Sequence, residues 1–233
     1  MPPSHPRPRS LSRQERVRFC RDQPIPTQQP TSIKLTRSTD YYEQRCVKFP
    51  DRACFHCYAE FIHALLLEAD GEVTHFVPQP FAMRVNRQGY IPDVYVVRNE
   101  RIEVLELKPR GEMDPKMEIP VRTFFEQHGM SFRVVSNETV QERETLALNW
   151  LGIIQVLAQA QYLGIDTFDD ETLLLRKAQS EHAMPVGDLL AEHVRETDFH
   201  LELALYRLLH RHELECDLSD CPLDYDTMVT PWH

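Results

Sequence analysis

Residues 90 to 110 read YIPDVYVVRNERIEVLELKPR, two short runs of β-forming residues on either side of Asn99-Glu100. The pattern predicts strands over Ile91 to Arg98 and Ile102 to Lys108, joined by a tight turn. Glu106 and Lys108 stand two apart among Ile102, Val104, Leu105 and Leu107, so a strand projects both from the face that Val104 shares. Burying an unpaired charge is costly, so charged groups on a largely apolar strand are paired, bound to a metal or exposed in a cleft. Two readings stay open: a strand whose Glu and Lys form a salt bridge, and a strand that presents them to a divalent cation.

The second reading has a definite chemistry. If the sheet brings Asp93 beside Glu106, two carboxylates and the Leu107 carbonyl offer the hard oxygen ligands that Mg2+ or Mn2+ prefers. Lys108 then lies next to the ion. A cation of this kind acidifies its water and stabilises charge on a phosphoryl group, and an adjacent ammonium orients the attacking water. Phosphodiester hydrolysis is the expected outcome. Glu60, on the helix preceding the strands, is the candidate that completes the ligand shell or holds a second metal.

The 233 residues, 42% of them hydrophobic, suffice for one large or two modest domains. No apolar run approaches the length of a membrane span, and the first 30 residues lack the apolar centre of a secretory signal. A cytoplasmic protein without membrane contact is therefore expected, with its six cysteines reduced. Cys54-Phe-His-Cys57, with Cys46 and His56 near it, has the spacing of a zinc site; the alternative is small, half-buried side chains at a helix start.

Charge is distributed unevenly. Residues 1 to 37 hold eight Lys and Arg against two acids, whereas residues 137 to 233 hold six against nineteen. The basic arm, with Arg7, Arg9, Arg13, Arg16, Arg18 and Arg21, suits either a phosphate backbone or a solvated tail. The acidic last third would repel nucleic acid and suits a basic protein surface.

Residues 1–31, with seven prolines, read as a flexible basic leader. Tyr58 to Ala69 is a helix by its apolar spacing, with Tyr58, Phe61, Ile62, Leu65 and Leu66 on one side and Asp70-Gly71 as its stop. Val73 to Val77 and Phe81 to Val85 are strand candidates, and Asn86 to Gly89 is a hairpin turn into Ile91. Lys116 to Gln127 reads as a helix and Met130 to Val135 as a strand. The class is α/β, a mixed sheet flanked by helices over residues 32–140. Residues 141–233 read as helical (142 to 162, 169 to 180, 185 to 192, 198 to 212), with strands over 214 to 218 and 226 to 230 that would form the hairpin of a winged helix.

The stretch AEFIHALLLEADGEVTHFVPQPFAMRV, then YIPDVYVV and VLELKPR, resembles the amino-terminal domain of TnsA-type transposon endonucleases, within the PD-(D/E)xK restriction-endonuclease-like superfamily. The resemblance runs from about Phe55 to Asn149 and includes Gln79-Pro80 and Leu148-Asn149. It implies a restriction-endonuclease-like core with Glu60, Asp93, Glu106 and Lys108 as catalytic residues, and Mg2+ (with Mn2+ as substitute) on Asp93, Glu106, Glu60 and the Leu107 carbonyl. It also implies a bacterial, cytoplasmic endodeoxyribonuclease that cuts the five-prime strands at transposon ends. A DDE-type, TnsB-like transposase would cut and join the three-prime ends. The winged-helix-like region would dock that transposase or an AAA+ ATPase regulator of TnsC type; the alternative for it is a cap that only shields the core. Gln79, Lys116, Arg122 and Arg133 are the candidate DNA contacts, with a solvated face as the alternative for Lys116, Arg122 and Arg133. A free-standing restriction or repair nuclease and a non-catalytic assembly adapter are the alternatives to the transposase subunit.

Overall fold

A computed structural model describes residues 17–21, 25–32, 36, 40–190 and 198–232. In chain order the amino-terminal elements are β1 (Val17–Phe19), β2 (Tyr42–Arg45), β3 (Arg52–Phe55), α1 (Tyr58–Glu68), β4 (Val73–Pro78), β5 (Met83–Val85), β6 (Gln88–Tyr90), β7 (Val94–Arg98) and β8 (Arg101–Lys108). They are followed by α2 (Pro115–Gln127), β9 (Ser131–Ser136), α3 (Asn137–Gln141), α4 (Glu144–Leu163) and α5 (Phe168–Glu181). The chain continues through β10 (Met184–Pro185), α6 (Val186–Leu190), α7 (Asp198–His210), β11 (Leu214–Glu215) and β12 (Met228–Pro231). The protein is mixed α/β. Among the described residues no helix is long and apolar enough to cross a membrane.

The central sheet has the order β4-β7-β8-β9. Its core is the hairpin of β7 and β8, closed by Asn99 and Glu100, which both take positive φ (46° and 62°) as a two-residue turn between twisted strands requires. The β4–β7 pair is antiparallel as well. β9 lies parallel to β8, because the intervening α2 carries the chain back to the same end of the sheet. Asp114 caps α2 by accepting the Lys116 N–H, and Pro115 begins it where no backbone donor is needed. One face of the sheet packs on α1, with Leu107 and Val94 against Ala64 and Leu67. On the other face Tyr95 meets Phe81, which packs on Phe125 of α2, while Phe125 stacks on Phe132 of β9.

Several expectations need correction. The stretch assigned to a flexible leader contributes a strand: β1 pairs antiparallel with β5, and Phe19 packs on Phe81, Phe124 and Phe125, a contact that buries apolar surface the tail alone had nowhere to place. Thr27 and Gln29 then donate backbone N–H groups to Pro80 and Gln79, so residues 25–32 run along the same edge. Residues 1–16 lie outside the described residues. The hairpin of Asn86 to Gly89 does not lead directly into β7. It joins β5 to β6, and β1-β5-β6 form a separate three-stranded sheet, because Pro92 cannot donate to a ladder and the chain changes sheet at Ile91-Pro92.

The helix expected over residues 142 to 162 is α4 (Glu144–Leu163), and the short α3 that precedes it, Asn137–Gln141, is an addition, set off from α4 at Arg143, which leaves helical geometry (ψ 17°). The helix expected over residues 185 to 192 is α6, which starts one residue later, after Met184–Pro185 pairs as β10, and is described as far as Leu190; residues 191 and 192 are outside the described residues. β12 runs between β10 and β11, with Leu214 opposite Pro231, so the expected carboxy-terminal hairpin is part of a small three-stranded sheet.

α4 packs along α1 and α7, and the carboxy-terminal residues close on the end of α1. His212 donates from Nε2 to the Ala69 carbonyl (3.0 Å) and its ring meets Trp232. A Cβ added at Gly71 would lie 2.4 Å from His212 Cγ. Gly71→Ala is therefore expected to displace that imidazole and lower stability by about 1–3 kcal/mol, measured by urea unfolding; an unchanged midpoint would contradict this packing.

Candidate active site

The register of the β7–β8 hairpin sets the site. Val94 pairs with Leu105, so Asp93, one residue earlier, stands opposite Glu106. Asp93 Oδ2 accepts the Leu107 N–H (2.6 Å). Burial, then the Glu106 and Glu60 carboxylates, push its carboxyl well above the usual range, while Lys108 and that N–H pull the other way.

Glu106 is only 3% exposed. Its Oε1 pairs with Lys108 Nζ (2.5 Å) and its Oε2 accepts the Tyr90 hydroxyl (2.7 Å). Burial and the facing Glu106 raise the Tyr90 phenol, so it remains a donor. Burial works against the Lys108 ammonium, but Glu106, Asp93 and Glu60 outweigh it and lift its pKa. The salt bridge of the first reading therefore exists, and it does not account for the other two carboxylates beside it.

Glu60 arrives from the first turn of α1. Its N–H goes to Cys57 Sγ (3.4 Å), so Cys57 caps the helix where Ser or Thr is more usual. Glu60 Oε2 accepts the His56 N–H (3.1 Å) and Gln79 Nε2 (2.8 Å), and Oε1 faces the Cys57 thiol (3.4 Å). Burial, with Glu60 second, pushes that thiol up to about 12, which keeps it a neutral donor. Cys57 is thus engaged with Glu60, while Cys54 Sγ turns to the Arg52 carbonyl (3.8 Å), so the two cysteines of the zinc-like spacing serve separate partners.

Gln79 links the two halves of the site. Its backbone N–H donates to the Asp93 carbonyl (2.8 Å), and its φ of 41° turns the side chain toward Glu60. It is 4% exposed, and its Oε1 is buried without a partner among the described residues. The side chain expected to contact DNA is thus buried, with its Nε2 engaged by Glu60. Arg122 is also committed, through Phe132 O (2.6 Å) and Glu118 (2.6 Å). Lys116 and Arg133 are exposed. His63 lines the crevice with Glu60 and Asp93, and burial followed by Arg98, Arg133 and Arg143 holds its imidazole down at about 4. His75 instead bonds the Lys48 carbonyl.

Glu60, Asp93, Glu106 and Lys108 are therefore brought together, three carboxylates against one ammonium. The oxygen donors, with the unpartnered Gln79 Oε1, suit a hard cation such as Mg2+ in charge and type. They are not gathered round one point: among the described residues no three His, Cys, Asp or Glu side chains form a ready metal cluster. Asp93 is held by Leu107, and Glu106 by Tyr90 and Lys108, so ligation competes with these bonds.

Tyr90 carries no sequence signal for this role, because it lies on a different sheet from Glu106. Tyr90→Phe leaves a buried carboxylate oxygen without its donor, and a loss of about 1–3 kcal/mol in urea unfolding is expected. A neutral result would mean that the phenol does not hold Glu106. No protein-family model matches the sequence, and no curated protein matches it.

Proposed function

We propose that the chain is a metal-dependent DNA endonuclease, the subunit of a heteromeric cut-and-paste transposase that hydrolyses the five-prime strand at transposon ends. The observation that carries the reading is the placement of Asp93 opposite Glu106, with Lys108 two residues on and Glu60 entering from α1. The order α1, β4, β7, β8, α2, β9, with a parallel last strand, supports a restriction-endonuclease-like core. The carboxy-terminal helices and the β10-β12-β11 sheet are compatible with a winged-helix-like, partner-binding region.

A bound Mg2+ would supply Lewis acidity toward a phosphoryl oxygen and a more acidic water. Asp93 and Glu106 would hold it, with Glu60 as a further oxygen donor. The Lys108 ammonium, kept protonated by the carboxylates, orients a water or offsets charge building on the phosphate. Tyr90 and Gln79 position Glu106 and Glu60 by donating to them. The acidic carboxy-terminal third suits docking to a basic protein surface, such as a DDE-type, TnsB-like transposase or a TnsC-like ATPase.

The test is strand-specific cleavage of transposon-end DNA in Mg2+, with and without a DDE-type transposase. Five-prime nicking that requires the transposase supports the proposal. Cleavage by the protein alone favours a free-standing nuclease, and no cleavage in either arm overturns the enzyme reading.

A further inference from the structure

The β1-β5-β6 sheet has two unlike faces. Met83, Val85 and Phe19 pack inward, and Tyr90, opposite Met83, reaches from this inner side to Glu106. The outer face carries Arg18 and Arg84, which are direct partners across β1 and β5, and both are exposed. Opposite Arg84 on its other side stands Gly89, with open space where a side chain would be. Arg87 is exposed at the hairpin tip between β5 and β6.

Like charges directly opposite on neighbouring strands destabilise the pair. Carboxylates would ordinarily relieve this, but the sequence has no acid between Glu72 and Asp93. Among the described residues, none of Arg18, Arg84 and Arg87 has an ion-pair or hydrogen-bond partner for its side chain. In a chain of net charge −10, three unpaired arginines on one small sheet are a local exception. Adjacent strands lie about 5 Å apart, so the two guanidinium groups can meet neighbouring phosphates of one backbone, and the gap at Gly89 leaves room for it to lie flat.

We infer that the outer face of this sheet binds the phosphate backbone of duplex DNA beside the cleavage cleft. The inference rests on the nuclease reading, since the strand that bears Tyr90 ties the sheet to Glu106. The contacts position the duplex and do not read its sequence.

The experiment is fluorescence anisotropy of a labelled DNA duplex in EDTA, from 50 to 200 mM salt. Each phosphate contact removed lowers the slope of log K against log salt by about 0.9. Arg18→Gln/Arg84→Gln is expected to flatten the slope by roughly 1.8 and to weaken binding at least about tenfold at a fixed salt concentration. Arg101→Gln, at the far turn of the β7–β8 hairpin, is the control expected to leave the slope unchanged.

An unchanged slope in the double variant with an unchanged thermal melt overturns the inference, as does a wild-type protein that binds no duplex. Equal competition by polyglutamate at matched charge would assign the face to an acidic protein instead and also overturns it. Slope loss in a protein that never cleaves DNA would leave this surface standing while the nuclease reading fails.

Discussion

Lys108→Ala and Asp93→Ala are each expected to reduce DNA strand cleavage about 10²–10³-fold or more, the usual cost of losing one preorganised electrostatic partner of a transition state. The outcome separates the two readings of Glu106 and Lys108. A salt bridge with only a structural role predicts that Lys108→Ala lowers the melting temperature while leaving a bound duplex as cleavable as before. A catalytic ammonium predicts the reverse emphasis, because Tyr90 still holds Glu106 when Lys108 is gone. Lys108→Arg should not restore full activity, since the planar fork of a guanidinium cannot occupy the position of a compact ammonium 2.5 Å from Glu106. Single-turnover cleavage in Mg2+, with circular dichroism to confirm folding, reads both effects. Wild-type rates in both alanine variants would remove these residues from the chemistry.

Glu68→Ala is expected to have the largest effect on stability. This carboxylate at the end of α1 is 0% exposed. Its Oε1 accepts the N–H groups of Val47 and Lys48 (both 2.9 Å), and its Oε2 meets His210 Nε2 (2.8 Å). Truncation strands two backbone donors and the imidazole, and breaking a buried polar pair by removing one partner costs about 3–5 kcal/mol. For a chain of this size that corresponds to a fall of roughly 10 °C in melting temperature. Glu68→Gln, which keeps an acceptor and the volume, should lose distinctly less. Since His210 lies on α7, the alanine variant should also loosen the carboxy-terminal helices from α1, visible as faster amide exchange there. Calorimetry showing a shift below about 2 °C would contradict this.

Local pattern made much of the core legible. FIHALLLE announces α1 because its apolar residues recur at helical spacing, and the helix ends at Glu68, one residue from the expected bound. Asn99-Glu100 marked the β7–β8 turn, and strand alternation placed Glu106 and Lys108 on one face. The site partners were less accessible. Tyr90 and Gln79 act through elements that meet only in three dimensions, and Gln79 entered the reading only through the resemblance carried by Gln79-Pro80. β1 went unseen for a similar reason: three residues in a Pro- and Arg-rich stretch show no periodicity until β5 pairs with them. The short α3 went unread because five residues are too few to show a helical period.

The amino-acid sequence by itself determined which residues share a strand face or a helix side, since those relations follow from the fixed periods of the backbone. It therefore placed Glu106 with Lys108 and put Glu60 on the helix before them. Only the tertiary structure decided that Asp93 stands opposite Glu106, that Glu60 shares their cleft, that Gln79 is buried between Glu60 and Asp93, and that Arg18 lies beside Arg84. These depend on strand register and layer packing, which are settled by burying apolar surface across long stretches of chain and not by any residue's neighbours in sequence.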